Sequence, residues 1–138
     1  MIKDIKFEDI TIGLNDSLTK TISEDDISTF AQVSGDFNPI HLDENFASKS
    51  IFKKKIAHGM LTSSLISSVL GTKLPGANTL YLSQSLKFLA PVYINDTITA
   101  TVTVIDKRED KRLLTLETNI FKSDGTKVVS GSAIVKKM

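Results

Sequence analysis

The chain predicts an α+β domain in which one apolar helix is wrapped by a curled antiparallel sheet. Three observations carry this. From residue 77 onward, apolar residues recur at every second position, the period of a strand with one buried face. Four such segments are joined by short turns, which implies an antiparallel meander. The strongest helical stretch, "GMLTSSLISSVLG" at residues 59–71, has an apolar stripe and otherwise mostly serine, so a sheet backbone could approach it closely on all sides.

Along the chain, "DSLTKTI" (residues 16–22) reads as a short strand. In the helix that follows, Ser23 and Asp26 form a capping box, and Glu24 and Asp25 favour its positive end. Ile27, Phe30, Ala31 and Val33 give this helix an apolar stripe, and Gly35 ends it. Asn38-Pro39 blocks helix between Asp36 and His41, because the residue before proline avoids the α region. A short helix fits residues 43–49, "DENFASK". In the 59–71 helix, Leu61, Leu65, Ile66, Val69 and Leu70 form the stripe, and Gly71 and Pro75-Gly76 stop it.

Beyond it, Leu80, Leu82, Leu86 and Phe88 face one way in the first strand, with Gln84 among them. Ile98, Ala100, Val102 and Val104 alternate with threonines in the second. "KREDKR" and Ser123-Asp124-Gly125 mark the next two turns. Strands of about 11–12 residues exceed the usual 5–6 and suggest a sheet curling around the helix.

A length of 138 residues suits a single domain spanning residues 1–138. The net charge of +1 gives no argument for nucleic acid or an anionic membrane as partner. Lys53-Lys54-Lys55 and Lys136-Lys137 are small groups that read as solvated surface. The absence of cysteine excludes disulfides, thiolate nucleophiles and cysteine-based zinc sites. No signal-peptide run or membrane-length apolar stretch occurs, so a cytoplasmic location is expected.

Both histidines, His41 and His58, fall in "SGDFNPIHLDENFASKSIFKKKIAHGML", residues 34–61. Bland readings are available for each part. A histidine can be a hydrogen-bonded structural residue, and Ser-Gly-Asp-x-Asn can be only a turn. His41 and Asp43 are too few for a metal site of settled geometry, so none is expected. No Gly-x-Ser-x-Gly elbow supports a serine nucleophile. In combination the parts read more sharply. Asp36 and His41 bracket a rigid Asn-Pro turn, and Asp36 can orient an imidazole or share a water with it. His41 titrates near neutrality and can accept a proton from water. Gly59 begins a helix, where N–H groups are unpaired and no side chain blocks a ligand oxygen. Such an N–H is an oxyanion donor for a carbonyl becoming an enolate.

The stretch "FAQVSGDFNPIHLDENFASKSIFKKKIAHGML", with the later "LPGANTLYLSQSLKFLAPVYINDTI", resembles the MaoC-like hydratases: the (R)-specific enoyl-CoA hydratases and related 3-hydroxyacyl thioester dehydratases. The resemblance implies a hot-dog fold, a trans-2-enoyl thioester of coenzyme A as substrate, an (R)-3-hydroxyacyl thioester as product, and a homodimer. It implies that Asp36 and His41 are the catalytic pair, that Asn38 supports the turn, and that the Gly59 N–H binds the thioester oxygen. It also implies that Ser67 lies near the pair. His58 has a supporting role, fixing the loop that aims the Gly59 N–H, or packs. Leu70 is a candidate for the floor of an acyl tunnel. This chemistry needs no metal or redox cofactor. Acyl carrier protein is an alternative carrier. A thioesterase and a non-catalytic acyl-thioester binder are the rival classes, disfavoured by the Asp-x-Asn-Pro-x-His pattern and by the intact acid–base pair.

Overall fold

In a computed structural model, which describes Met1–Met138, a five-stranded antiparallel sheet packs on a single long helix. The strands are β1 (Asn15–Thr21), β2 (Thr79–Phe88), β3 (Thr97–Arg108), β4 (Leu113–Lys122) and β5 (Lys127–Lys137). The helices are α1 (Glu24–Ser34), α2 (Pro39–Leu42), α3 (Glu44–Ser48) and α4 (Gly59–Thr72). This is the hot-dog arrangement, and its α+β class is as the sequence predicts.

The alternation in β3 places Ile98, Ala100, Val102 and Val104 in the core while the threonines between them are half-buried. On the other side of the core stand Leu65, Ile66, Val69 and Leu70 of α4. Each of these buried side chains contributes on the order of 1.5–3 kcal/mol relative to exposure. The N-terminal segment crosses the end of α4, where the Lys3 N–H donates to the Thr72 carbonyl. It adds Phe7 and Ile10 to the same core.

The strand order β1-β3-β4-β5-β2 departs from a four-strand meander. Only β3, β4 and β5 run as one, and β2 pairs with β5 at the far edge. The cause lies in the connection. The turns between β3, β4 and β5 are tight, but residues 89–96 separate β2 from β3 and include Pro91, which cannot donate to a ladder. Eight residues can reach roughly 26–29 Å, enough to carry the chain across two intervening strands spaced about 4.8 Å apart. As an edge strand β2 keeps Leu80, Leu82 and Phe88 exposed, and its pairing shifts between Tyr81 and Ser83. Its apolar residues therefore do not form the buried row that their spacing predicts; only Leu86 packs partly against the core.

Two further expectations are corrected. Val33 is exposed, because the last turn of α1 projects beyond the core. The serines of α4 do not admit sheet on all sides. Met60, Ser64, Ser67 and Gly71, at i, i+4, i+7 and i+11, form an exposed face directed away from the sheet. No helix is long and apolar enough to cross a membrane.

Candidate active site

The segment between α1 and α4 is a series of short caps, each set by a residue legible in the sequence. Ser23 and Asp26 close the capping box of α1, and Gly35 ends it in the left-handed conformation with φ 78°. Asp36 follows immediately. Its carboxylate accepts from the Asn38 N–H at 3.2 Å, and the Asn38 side chain accepts from the Ile40 N–H at 3.1 Å. Asn38 thereby caps α2, with Pro39 at the first helical position. The proline does not leave His41 on a bare turn: it starts a one-turn helix that carries His41 inward.

His41 is buried, and its Nδ1–H donates to the Ile56 carbonyl at 2.7 Å. A carbonyl can only accept, so Nδ1 carries the proton of the neutral ring and Nε2 presents a free lone pair. Burial holds the pKa of His41 below the ordinary histidine value of 6.5; the Ile56 hydrogen bond and the Asp36 charge oppose this, and His58 adds to it. The ring is thus a base over a wider acid range than a free imidazole.

His58, 2% exposed, is the N-cap of α4. Its ring stacks on His41 with centroids 3.9 Å apart and planes 28° from parallel, and the Phe30 ring lies tilted against it at 4.8 Å. Its Nε2–H donates to the main-chain carbonyl of Asp36 at 3.0 Å. One ligating atom from each of Asp36, His41 and His58 lies within 4.8 Å of the others. Two of the four ring nitrogens, His41 Nδ1 and His58 Nε2, already donate to main-chain carbonyls.

Asp36, His41, His58 and Gly59 line one cavity of about 500 Å³. Ten of its 16 lining residues are hydrophobic, among them Phe52, Met60, Phe88 and Val129, so an apolar chain fits beside a polar end. Gly59 is the first residue of α4, where an N–H has no partner within the helix. A Cβ at Gly59 would lie 2.7 Å from the Phe88 ring, so only glycine leaves this wall as it is.

The structure brings Asp36, Asn38, His41, His58 and Gly59 together. It does not bring Ser67 or Leu70 to the cavity within one chain. Ser67 is on the exposed face of α4, and Leu70 is 1% exposed in the core between helix and sheet. The reason is distance along the helix: at 1.5 Å per residue Ser67 lies about 12 Å and Leu70 about 16.5 Å beyond Gly59, past the end of the cavity. Sequence reasoning missed the Ile56 carbonyl that orients His41, since a main-chain group leaves no mark in side-chain identity. It also missed Thr62, whose buried hydroxyl has no partner in the cavity wall.

The chain is similar over most of its length to known proteins. An (R)-specific enoyl-CoA hydratase of Rhodospirillum rubrum is 51% identical over 94% of this chain and 89% of its own length. The solved structure of an (R)-hydratase from Aeromonas caviae, 44% identical, superposes with a TM-score of 0.92 over 95% of this chain and 99% of that one. A mitochondrial 3-hydroxyacyl-[acyl-carrier-protein] dehydratase of Arabidopsis thaliana is 41% identical over 80% of this chain and 67% of its own length. The family description "MaoC like domain" matches residues 9–124, and the chain belongs to that family.

Proposed function

We propose that this protein catalyses the reversible, (R)-specific hydration of trans-2-enoyl-CoA to (R)-3-hydroxyacyl-CoA. The observation that carries this reading is the convergence of the Asp36 carboxylate and the unprotonated Nε2 of His41 on a largely apolar cavity that opens beside the Gly59 N–H. Relatives named for this reaction support it.

A water held between Asp36 and His41 attacks C3 of the enoyl group while His41 Nε2 takes its proton. The substrate carbonyl accepts from the Gly59 N–H, which draws electrons from C3 and stabilises the enolate oxygen. A proton then returns to C2 on the same face, from Asp36 or His41. General acid–base help of this kind contributes on the order of 10²–10⁴ in rate, and one oxyanion donor roughly 10²–10³. Asn38 holds the turn through its cap and its N–H to Asp36.

A homodimer belongs to this reading. The exposed β2 edge with Leu80, Leu82 and Phe88, and the exposed face of α4 with Met60 and Ser67, offer a surface for a second copy. We place the enzyme in the cytoplasm. The similarity to a carrier-protein dehydratase favours a second reading, dehydration of a 3-hydroxyacyl thioester on acyl carrier protein.

The test is loss of enoyl absorbance with crotonyl thioesters of both carriers, with chiral analysis of product. Asp36→Asn and His41→Ala each lower kcat on the order of 10²-fold or more with the fold intact. Near-wild-type activity in both variants defeats the assignment. Release of free thiol without hydration indicates a thioesterase instead.

A further inference from the structure

We propose that His58 is a positioning residue for this reaction, a single ring that fixes Asp36 and His41 relative to each other. The proposal rests on the function proposed above and adds a group to which that reaction assigns no proton transfer. The two catalytic side chains stand five residues apart on separate local structures, a loop and the one-turn α2. Neither is bonded to the other by any direct hydrogen bond. His58 contacts both. Its Nε2–H holds the Asp36 carbonyl at 3.0 Å, and its face supports the His41 ring at 3.9 Å.

The ring is itself closely packed. It is 2% exposed, in contact with His41 and Phe30, and carried at the N-cap of the 14-residue α4. It uses no capping hydrogen bond there. An N-cap histidine without a cap is a poor choice for the helix alone, since Ser, Thr, Asp or Asn would stabilise it more. The ring's contacts run to the catalytic pair instead. Because Gly59 follows directly, the one residue links all three reacting groups to the rigid start of α4.

The two contacts are separable. His58→Phe keeps a ring against His41 and deletes the donor to Asp36. His58→Gln keeps an amide donor and deletes the ring. The only other titratable group facing His41 from the cavity wall is Asp36, so removing the ring changes the His41 environment selectively.

The experiment compares wild type, His58→Phe, His58→Gln and Asp36→Asn by kcat, KM and the acid limb of kcat/KM with crotonyl-CoA. His58→Phe is expected to lower kcat roughly 10²-fold, the cost of about 1 Å of misplacement, with KM within a few-fold of wild type. His58→Gln is expected to recover most of kcat and to move the acid limb to higher pH. A His58→Phe enzyme with wild-type kcat overturns the proposal. Should His58→Phe not fold, a His58→Leu enzyme with wild-type kcat overturns it. Loss of activity in Asp36→Asn beside an unaffected His58→Phe leaves the catalytic pair standing and refutes this inference alone. An active Asp36→Asn refutes both.

Discussion

Replacing Gly59 with alanine separates activity from stability. The added Cβ would stand 2.7 Å and 2.8 Å from two carbons of the Phe88 ring, whereas ordinary contact begins at 3.4 Å. The ring edge must therefore retreat by at least about 0.7 Å, a shift at the cavity wall close to the 1 Å that can cost 10²-fold in rate. The fold should absorb the change. Phe88 is 54% exposed and can rotate outward, and alanine gains up to about 1 kcal/mol over glycine in helix propensity. The Gly59 N–H is still present in the variant, so any loss comes from shape rather than from a deleted donor. The assay is kcat/KM on crotonyl-CoA beside a urea unfolding midpoint. The expected result is a fall of about 10- to 10²-fold with the midpoint unchanged or raised. The decisive arm is the double variant Gly59→Ala/Phe88→Ala, in which the obstructing ring is gone and activity rises above that of the single variant. Full activity in the single variant, or no recovery in the double, refutes the argument from wall geometry.

Other outcomes follow from the same structure. Leu70→Ala should cost about 2–5 kcal/mol of stability as a core truncation and leave the preferred acyl chain length unchanged in one-chain terms; a shifted chain-length profile at unchanged stability would show that Leu70 bounds the acyl site. Gly131→Ala would bring a Cβ to 2.1 Å from the Ser85 carbonyl oxygen, a backbone atom that cannot rotate away, so β2 should part from β5 at a cost of about 1–3 kcal/mol or more in urea unfolding. For pH, the folded value of His41 lies below its unfolded 6.5, so the unfolded chain binds more protons between the two. The His41 contribution to stability is therefore lost as pH falls below about 6.5 and levels off below the folded value. As a base His41 keeps its activity below 6.5, and an acid limb of kcat/KM above 6.5 would contradict its buried, proton-poor state.

The readable parts of this fold were those specified by local chemistry. Ser23, Asp26 and Gly35 bound α1 because a capping box and a left-handed glycine are local devices. The β3 alternation was legible because one face of that strand is buried along its first eight residues. The place of β2 was not legible, because its row of leucines reads like a buried strand whichever edge it joins. Pairing is decided by the length and path of residues 89–96, which periodicity does not encode. In the site, Asp36, His41 and Gly59 stood out through residue type and spacing. Ser67 was drawn in by resemblance and Leu70 by its place at the far end of α4, and their distance along that helix separates them from the cavity. His58 was visible only as a neighbour of Gly59, since stacking on His41 depends on how α2 meets the start of α4.

The bond from His41 Nδ1–H to the Ile56 carbonyl has a consequence for isotopes. A ring so anchored cannot take a hydron in at one nitrogen and hand it on from the other; it has one port, open to the cavity. If that port serves both steps, the hydron removed from the attacking water is the one offered to C2, unless bulk solvent washes it out first. In dehydration of a substrate deuterated at C2, the label would then pass to the hydroxyl that leaves as water, and rehydration before that water escapes would put part of it back at C2 of the regenerated thioester.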